Sequence, residues 1–141
     1  MTRCRSCTRR TALALAVTGL AWPAVASAKC TEKGLDVGPL KAWPKGTFRL
    51  VETDVGRFVV AHDERGLYCY SGMCTHMGGA IVVDAQGTGL CPAHQSMFGP
   101  NGEVTRGPAT RPLPHFAVKP CGERLLVDPL TIVAPDVRMP V

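Results

Sequence analysis

The chain contains, at residues 74–94, the sequence CTHMGGAIVVDAQGTGLCPAH, which begins and ends with metal-binding side chains. Cys74 and His76 form one Cys/His pair, and Cys91 and His94 form a second pair after 14 intervening residues. Each pair supplies a thiolate and an imidazole, which suits either tetrahedral zinc or an iron–sulfur centre with one nitrogen-ligated iron. Zinc fingers usually place like ligands in the same loop. The mixed loops therefore favour a two-iron centre, with a structural zinc module as the alternative.

Short apolar segments separated by turn residues flank this motif. No window keeps a helical period, and the 15 glycines and 12 prolines of the 141-residue chain favour turns. We expect strands at residues 47–51, 57–62, 67–71, 80–83, 89–90, 113–119 and 124–127. The sequence therefore predicts an all-β fold, a compact antiparallel β-sandwich with two functional loops.

The two loops and the residues around them closely resemble the Rieske family of [2Fe–2S] proteins. Ser96 follows the second pair, and the sequence RGPA at residues 106–109, with Pro108, resembles the proline loop that covers the cluster in that family. The resemblance covers about residues 47–128. It implies one [2Fe–2S] cluster per chain, with Cys74 and Cys91 on the inner iron and His76 and His94 on the outer, solvent-facing iron.

The chain departs from the respiratory branch of that family at positions that matter for the cluster. Gly79 and Ala93 stand where that branch has an inter-loop disulfide, so that bridge is not expected here. Phe98 stands where it has a tyrosine that bonds a ligand sulfur, whereas Ser96 is retained and can donate to a bridging sulfide. Fewer donors to sulfur stabilise the reduced cluster less, so the resemblance implies an intermediate potential.

Residues 1–28 have the layout of a twin-arginine-type export signal. Arg9 and Arg10 precede an Ala-rich apolar run, and the small-x-small sequence ending at Ala28 predicts cleavage there. The alternative is an uncleaved membrane anchor, although 17 interrupted residues are short for a span. We expect a periplasmic or otherwise extracytoplasmic protein, with membrane contact only if the signal stays attached.

The positive charge of the chain lies mainly in that signal. The signal holds four arginines and no acid, whereas the rest of the chain holds 12 basic and 11 acidic residues. This balance gives no reason to expect a nucleic-acid partner.

The remaining segments and titratable residues are interpreted as structural. Residues 29–46 are predicted to form an irregular lead-in, and residues 129–141 a C-terminal tail across the surface. Cys69 is expected to be a buried thiol, and a Cys30–Cys121 disulfide is left open. His62 and His115 lie in strand-like segments without partner ligands and are expected to be structural.

Taken with the resemblance, these features imply an electron-transfer protein, the small subunit or soluble partner of a periplasmic oxidoreductase. Its partner would be a redox protein or a larger oxidoreductase subunit. We expect a component of an oxidoreductase rather than a complete enzyme by itself. The Rieske subunit of a quinol-oxidising cytochrome bc-type complex is the alternative.

Replacing Arg9 and Arg10 with lysine should leave the precursor in the cytoplasm, because the paired arginines identify the twin-arginine route. Cell fractionation and immunoblotting measure this directly. The same change at Arg3 and Arg5 is the control, since it also preserves charge but leaves the pair intact. Normal periplasmic accumulation of the Arg9/Arg10 variant would contradict the prediction.

Overall fold

The computed structural model describes residues 33–141. This part of the chain forms ten strands and one 3-10 turn at Leu40–Ala42, with no α-helix. The strands are β1 Leu35–Pro39, β2 Thr47–Thr53, β3 Gly56–Asp63, β4 Gly66–Ser71, β5 Val82–Val83, β6 Gly89–Leu90, β7 Met97–Phe98, β8 Val104–Arg106, β9 His115–Cys121 and β10 Arg124–Val133. The predicted export signal and Cys30 lie outside the described residues. Within residues 33–141, no helix has the length and apolar character needed to cross a membrane.

The strands form two antiparallel sheets. The larger sheet has six strands in the order β1-β10-β9-β4-β3-β2, and the smaller has four in the order β5-β6-β7-β8. The four strands of the smaller sheet lie between β4 and β9 in the sequence. The two predicted ligand loops adjoin these strands. The expected all-β, antiparallel architecture is confirmed.

The hairpin of β3 and β4 is buried on both of its faces, because each face packs into a different core. Successive strand residues point to opposite sides, so alternate residues enter alternate cores. The core shared with the smaller sheet contains Val59, Ala61, Tyr68, Tyr70, Ile81, Phe98 and Leu113. The core on the other side contains Trp43, Phe58, Val60, Leu67, Cys69, Leu125 and Val127. Cys69 is thus the buried thiol that the sequence predicts, and burial raises its pKa.

The predicted irregular lead-in is wrong for part of its length, because Leu35–Pro39 forms strand β1. This strand pairs with β10, with Leu35 opposite Val127, and its register shifts between Asp36 and Pro39. A strand this short, interrupted by glycine and proline, carries little signal of its own. The strand forms because the backbone of β10 supplies its hydrogen bonds, although the local sequence does not predict a strand there.

The C-terminal segment also differs from the predicted surface tail, since β10 continues to Val133. Its pairing with β9 shifts register between Asp128 and Ile132, and Pro129 lies within that interruption. A proline is tolerated at such a bulge because no ladder hydrogen bond is needed from its nitrogen.

Further along the chain, Met139 forms a bridge with Leu67 that binds the C-terminal segment to the sheet. Next to it, Arg138 lies over the ring of Tyr68 at 3.6 Å and donates to Asp63 at 2.7 Å. Burial acts to raise the pKa of Asp63, but the hydrogen bond from Arg138 holds it below the usual value.

Two leucines of β10 provide a matched test of this packing. Leu125 is 0% exposed, whereas Leu130 is 92% exposed. Leu125→Ala should lower the free energy of unfolding by about 3 kcal/mol, because it leaves a cavity in the core. Leu130→Ala should change it by less than about 0.5 kcal/mol. Guanidinium unfolding followed by circular dichroism measures both, and equal losses would contradict the burial of Leu125 in its core.

Candidate metal centre

The first predicted ligand loop begins directly after β4. The Cys74 N–H donates to the Gly79 carbonyl at 2.7 Å, and the Gly78 N–H donates to the Cys74 carbonyl at 2.9 Å. Gly78 has a φ of +70°, a conformation that glycine adopts without strain. This tight loop turns the Cys74 side chain into the core and leaves His76 exposed.

The second loop begins directly after β6 and has the same backbone pattern. The Cys91 N–H donates to the Ser96 carbonyl, and the Gln95 N–H donates to the Cys91 carbonyl, each at 2.9 Å. Gln95 has a φ of +62°. It is the one non-glycine residue with a positive φ in the described part of the chain. Cys91 is buried and His94 exposed, as in the first loop. The two loops are therefore equivalent from their cysteines onward, although their histidines differ in spacing.

The structure brings the four predicted ligands together as two sorted pairs. Cys74 and Cys91 are free thiols buried in the core that also contains Phe98. The rings of His76 and His94 lie on the surface, 4.9 Å apart between centroids and perpendicular to each other. Among residues 33–141, no group of three or more His, Cys, Asp or Glu side chains is arranged around a single metal ion. A two-iron cluster does not require such convergence, because each iron takes only two protein ligands.

The backbone of Gly79 approaches the second loop closely. A Cβ added there would lie 3.0 Å from the Cys91 sulfur and 3.5 Å from the Ala93 Cβ. Positions 79 and 93 therefore face each other at the separation typical of disulfide Cβ atoms. Since neither residue is a cysteine, the two loops are not joined by a disulfide at these positions.

A third segment, residues 106–111, is hydrogen-bonded to both loops. The Ala109 N–H donates to the buried Ser96 hydroxyl at 2.9 Å. The Arg106 Nε donates to the Gln95 carbonyl at 3.0 Å, and the Thr75 hydroxyl donates to the Arg111 carbonyl at 2.6 Å. Ser96 thus keeps its own hydroxyl hydrogen for another acceptor. Pro108 is exposed in this segment, next to the buried Ala109.

Sequence reasoning missed the parts played by Thr75, Arg106 and Arg111. Thr75 lies between the two predicted ligands of the first loop, and this position is the one feature of the sequence that could have indicated its role. Nothing in the local sequence indicates that residue 111 bonds to residue 75, because the contact joins segments 36 residues apart.

The other histidines and Cys121 lie away from the two loops in structural contacts. His62 Nδ1 is 2.7 Å from the Trp43 carbonyl, and His115 Nε2 is 2.9 Å from the Asn101 carbonyl. Burial lowers the pKa of His115. Cys121 is disulfide-bonded, and Cys30, the partner considered from the sequence, lies outside the described residues.

The residues present fit a [2Fe–2S] cluster of the type with two nitrogen ligands. Such a cluster needs two thiolates on one iron and two imidazoles on the other. The buried cysteines and the exposed, adjacent histidines are sorted in that way. At position 79, a glycine leaves open the space beside the Cys91 sulfur that a side chain would enter.

Two curated relatives share part of this sequence. The iron–sulfur subunit of the chloroplast cytochrome b6-f complex of Bigelowiella natans is 38% identical over 65 residues, which cover 45% of this chain. A putative Rieske subunit of the respiratory nitrate reductase of Haloferax mediterranei is 34% identical over 64 residues, or 44% of this chain. The matched stretches span only 26% and 29% of the lengths of those two proteins.

Solved structures of similar fold cover most of the described residues. The plasma membrane Rieske protein of the cyanobacterium Synechocystis PCC 6803 matches with a TM-score of 0.54 and 29% identity, over 67% of this chain and 98% of that one. The ferredoxin of carbazole 1,9a-dioxygenase from Nocardioides aromaticivorans IC177 matches with a TM-score of 0.52 and 24% identity, over 70% of this chain and 99% of that one. The second match supports the fold alone.

The family model of the Rieske [2Fe–2S] domain matches residues 33–117, which include β1, both loops and the 106–111 segment. This span is more than half of the chain, and it agrees with the fold and with the two cysteine–histidine loops described above. The chain therefore belongs to the Rieske [2Fe–2S] domain family, whose domain binds a [2Fe–2S] cluster for electron transfer.

Proposed function

We propose that Cys74, Cys91, His76 and His94 hold the cluster and that the chain passes single electrons to or from a redox protein. The observation that carries this proposal is the sorting of the ligands. Two buried free thiols lie in one core, and two exposed imidazoles lie 4.9 Å apart at the surface. A cluster held in this way takes up and releases one electron at a time.

The chain's own residues give the site a closed side and an open side. Cys74 and Cys91 pack with Phe98 and Ile81, which exclude water from the sulfur ligands. The exposed imidazole edges of the histidines give an electron a short path to a protein docked on this surface. The segment 106–111 keeps the two loops together through its bonds to Ser96, Gln95 and Thr75.

We further propose that the protein works outside the cytoplasm, as the small subunit or soluble partner of a larger oxidoreductase. The twin-arginine-like sequence of residues 1–28 supports export. One of the similar proteins is named as a subunit of a respiratory nitrate reductase.

The Rieske subunit of a quinol-oxidising complex is a second candidate, which the similarity to a cytochrome b6-f subunit favours. Against it stand Gly79 and Ala93, which face each other without the cysteines expected in that branch. Quinol-dependent reduction of the purified protein by membranes would distinguish the two functions.

The ligand assignment is tested by comparing the three free cysteines of the described residues. Cys74→Ala and Cys91→Ala should abolish the cluster, because each removes a thiolate from one iron. Cys69→Ala is the matched control, since Cys69 is equally buried but lies in the other core. Iron and acid-labile sulfide analysis, with electron paramagnetic resonance of the reduced protein, should show two irons and two sulfides in the control. Stoichiometric zinc in the native protein would overturn the proposal.

The reduction potential tests the predicted role of the Ser96 hydroxyl. Its oxygen accepts the Ala109 N–H, so its hydrogen remains available to a sulfur. Ser96→Ala should lower the potential by tens of millivolts, because only part of the roughly 1.5–3 kcal/mol of a hydrogen bond to a charged group favours the reduced over the oxidised cluster. Phe98→Tyr should raise it by adding a donor in the core with both cysteines. Protein-film voltammetry measures both changes, within a family range of about −150 to +300 mV.

Ser71→Ala is the control for Ser96→Ala. Its hydroxyl accepts the Met73 N–H at the entrance to the first loop, so the variant loosens a loop without removing a donor near the cysteines. An equal shift in Ser71→Ala, or none in Ser96→Ala, would show that the Ser96 hydroxyl does not act on the cluster.

A further inference from the structure

The surface around the two exposed histidines carries an unusual distribution of charge. We define the tip as the surface formed by residues 72–80, 91–96 and 105–112. These residues include no aspartate or glutamate, but they include Arg106 and Arg111, both exposed. The tip also exposes two methionines, Met77 at 73% and Met73 at 37%.

The two tip arginines are not neutralised by the protein itself. Neither forms an ion pair within residues 33–141. At the opposite end of the larger sheet, two exposed cations are paired, Lys45 with Glu64 at 3.2 Å and Arg124 with Asp36 at 2.8 Å. Residues 33–141 hold 11 basic and 10 acidic residues in total, so the excess positive charge is local to the tip.

Hydrogen bonds hold the Arg106 guanidinium and the Arg111 backbone beside the two loops. The Arg106 guanidinium donates to the carbonyl of Gln95, the residue after His94. The carbonyl of Arg111 accepts from Thr75, the residue before His76. The segment that carries both arginines is therefore bonded next to each histidine. The two arginines would exceed the single negative charge that one-electron reduction of a bound cluster would add, so the tip would remain positive.

We propose that the tip is a docking surface for an acidic redox protein, one whose own electron-exchanging edge is surrounded by carboxylates. This inference rests on the proposed function and adds the charge of the partner to it. Apolar contact around Met77 brings the two redox centres close, while Arg106 and Arg111 steer and orient the approach. A basic partner would meet two unpaired arginines and no carboxylate.

The test uses two forms of one haem protein that differ in charge. Native cytochrome c is basic, and succinylation converts its lysines to carboxylates without replacing the haem. Each form is immobilised, and binding of the cluster-loaded chain is measured by surface plasmon resonance at several salt concentrations. We expect tighter binding to the succinylated form, which weakens as salt rises because screening shortens the Debye length to about 10 Å at 0.1 M.

Variants locate the charge on the tip. Arg106→Gln and Arg111→Gln should each weaken binding to the succinylated form at low salt by about threefold, and the double variant by more. Arg106→Lys should retain most of the affinity, since it keeps the charge. Lys45→Gln is the matched control, because it also removes one exposed cation but lies near the start of β4. The six residues of β4 span about 20 Å, or two Debye lengths at 0.1 M.

The outcomes separate this inference from the proposed function. Absorption and electron paramagnetic resonance spectra show whether the cluster is intact in the native chain and in each variant, and its absence from the native chain would contradict the proposed function itself. With the cluster intact, three results would overturn the acidic partner. They are tighter binding to native cytochrome c, binding that does not respond to salt, and an equal loss in Lys45→Gln. Stopped-flow reduction of the two cytochrome forms should follow the same order as binding.

Discussion

The burial of the β3–β4 hairpin on both faces is the constraint on which the rest of the structure depends. Phe58 and Val60 enter one core while Val59 and Ala61 enter the other. A shift of register by one residue would exchange these sets, so the pairing of β3 with β4 is strongly specified. Since the first loop begins at the end of β4, this register also sets where Cys74 enters the core.

The site is formed by segments that are distant in the sequence. The smaller sheet packs on one face of the hairpin and places Cys91 in the same core as Cys74. The segment 106–111 then returns across both loops. Burial sorts the side chains by chemistry, with soft thiols inside and imidazoles at the surface, and the tip arginines add charge only at that surface.

The sequence predicted the parts whose signal is local. The Cys/His spacing identified both loops, and the apolar residues around Cys69 indicated a buried thiol. Strand β1 and the end of β10 were missed because glycine or proline interrupts their local pattern, and β7 is two residues long, too short to show a period. The positive φ of Gln95 was also missed, because the second loop imposes it through the bonds to Cys91. The ligand assignment and the export signal remain predictions.

Because one segment bonds to both loops, the loops are not expected to open independently. Releasing Cys74 from its carbonyl partner disturbs Thr75 and its bond to Arg111, and releasing Cys91 disturbs Ser96 and its bond to Ala109. Fluctuations of the two loops are therefore coupled through the segment 106–111. In hydrogen–deuterium exchange, the amides of both cysteines should behave as members of one cooperative unit.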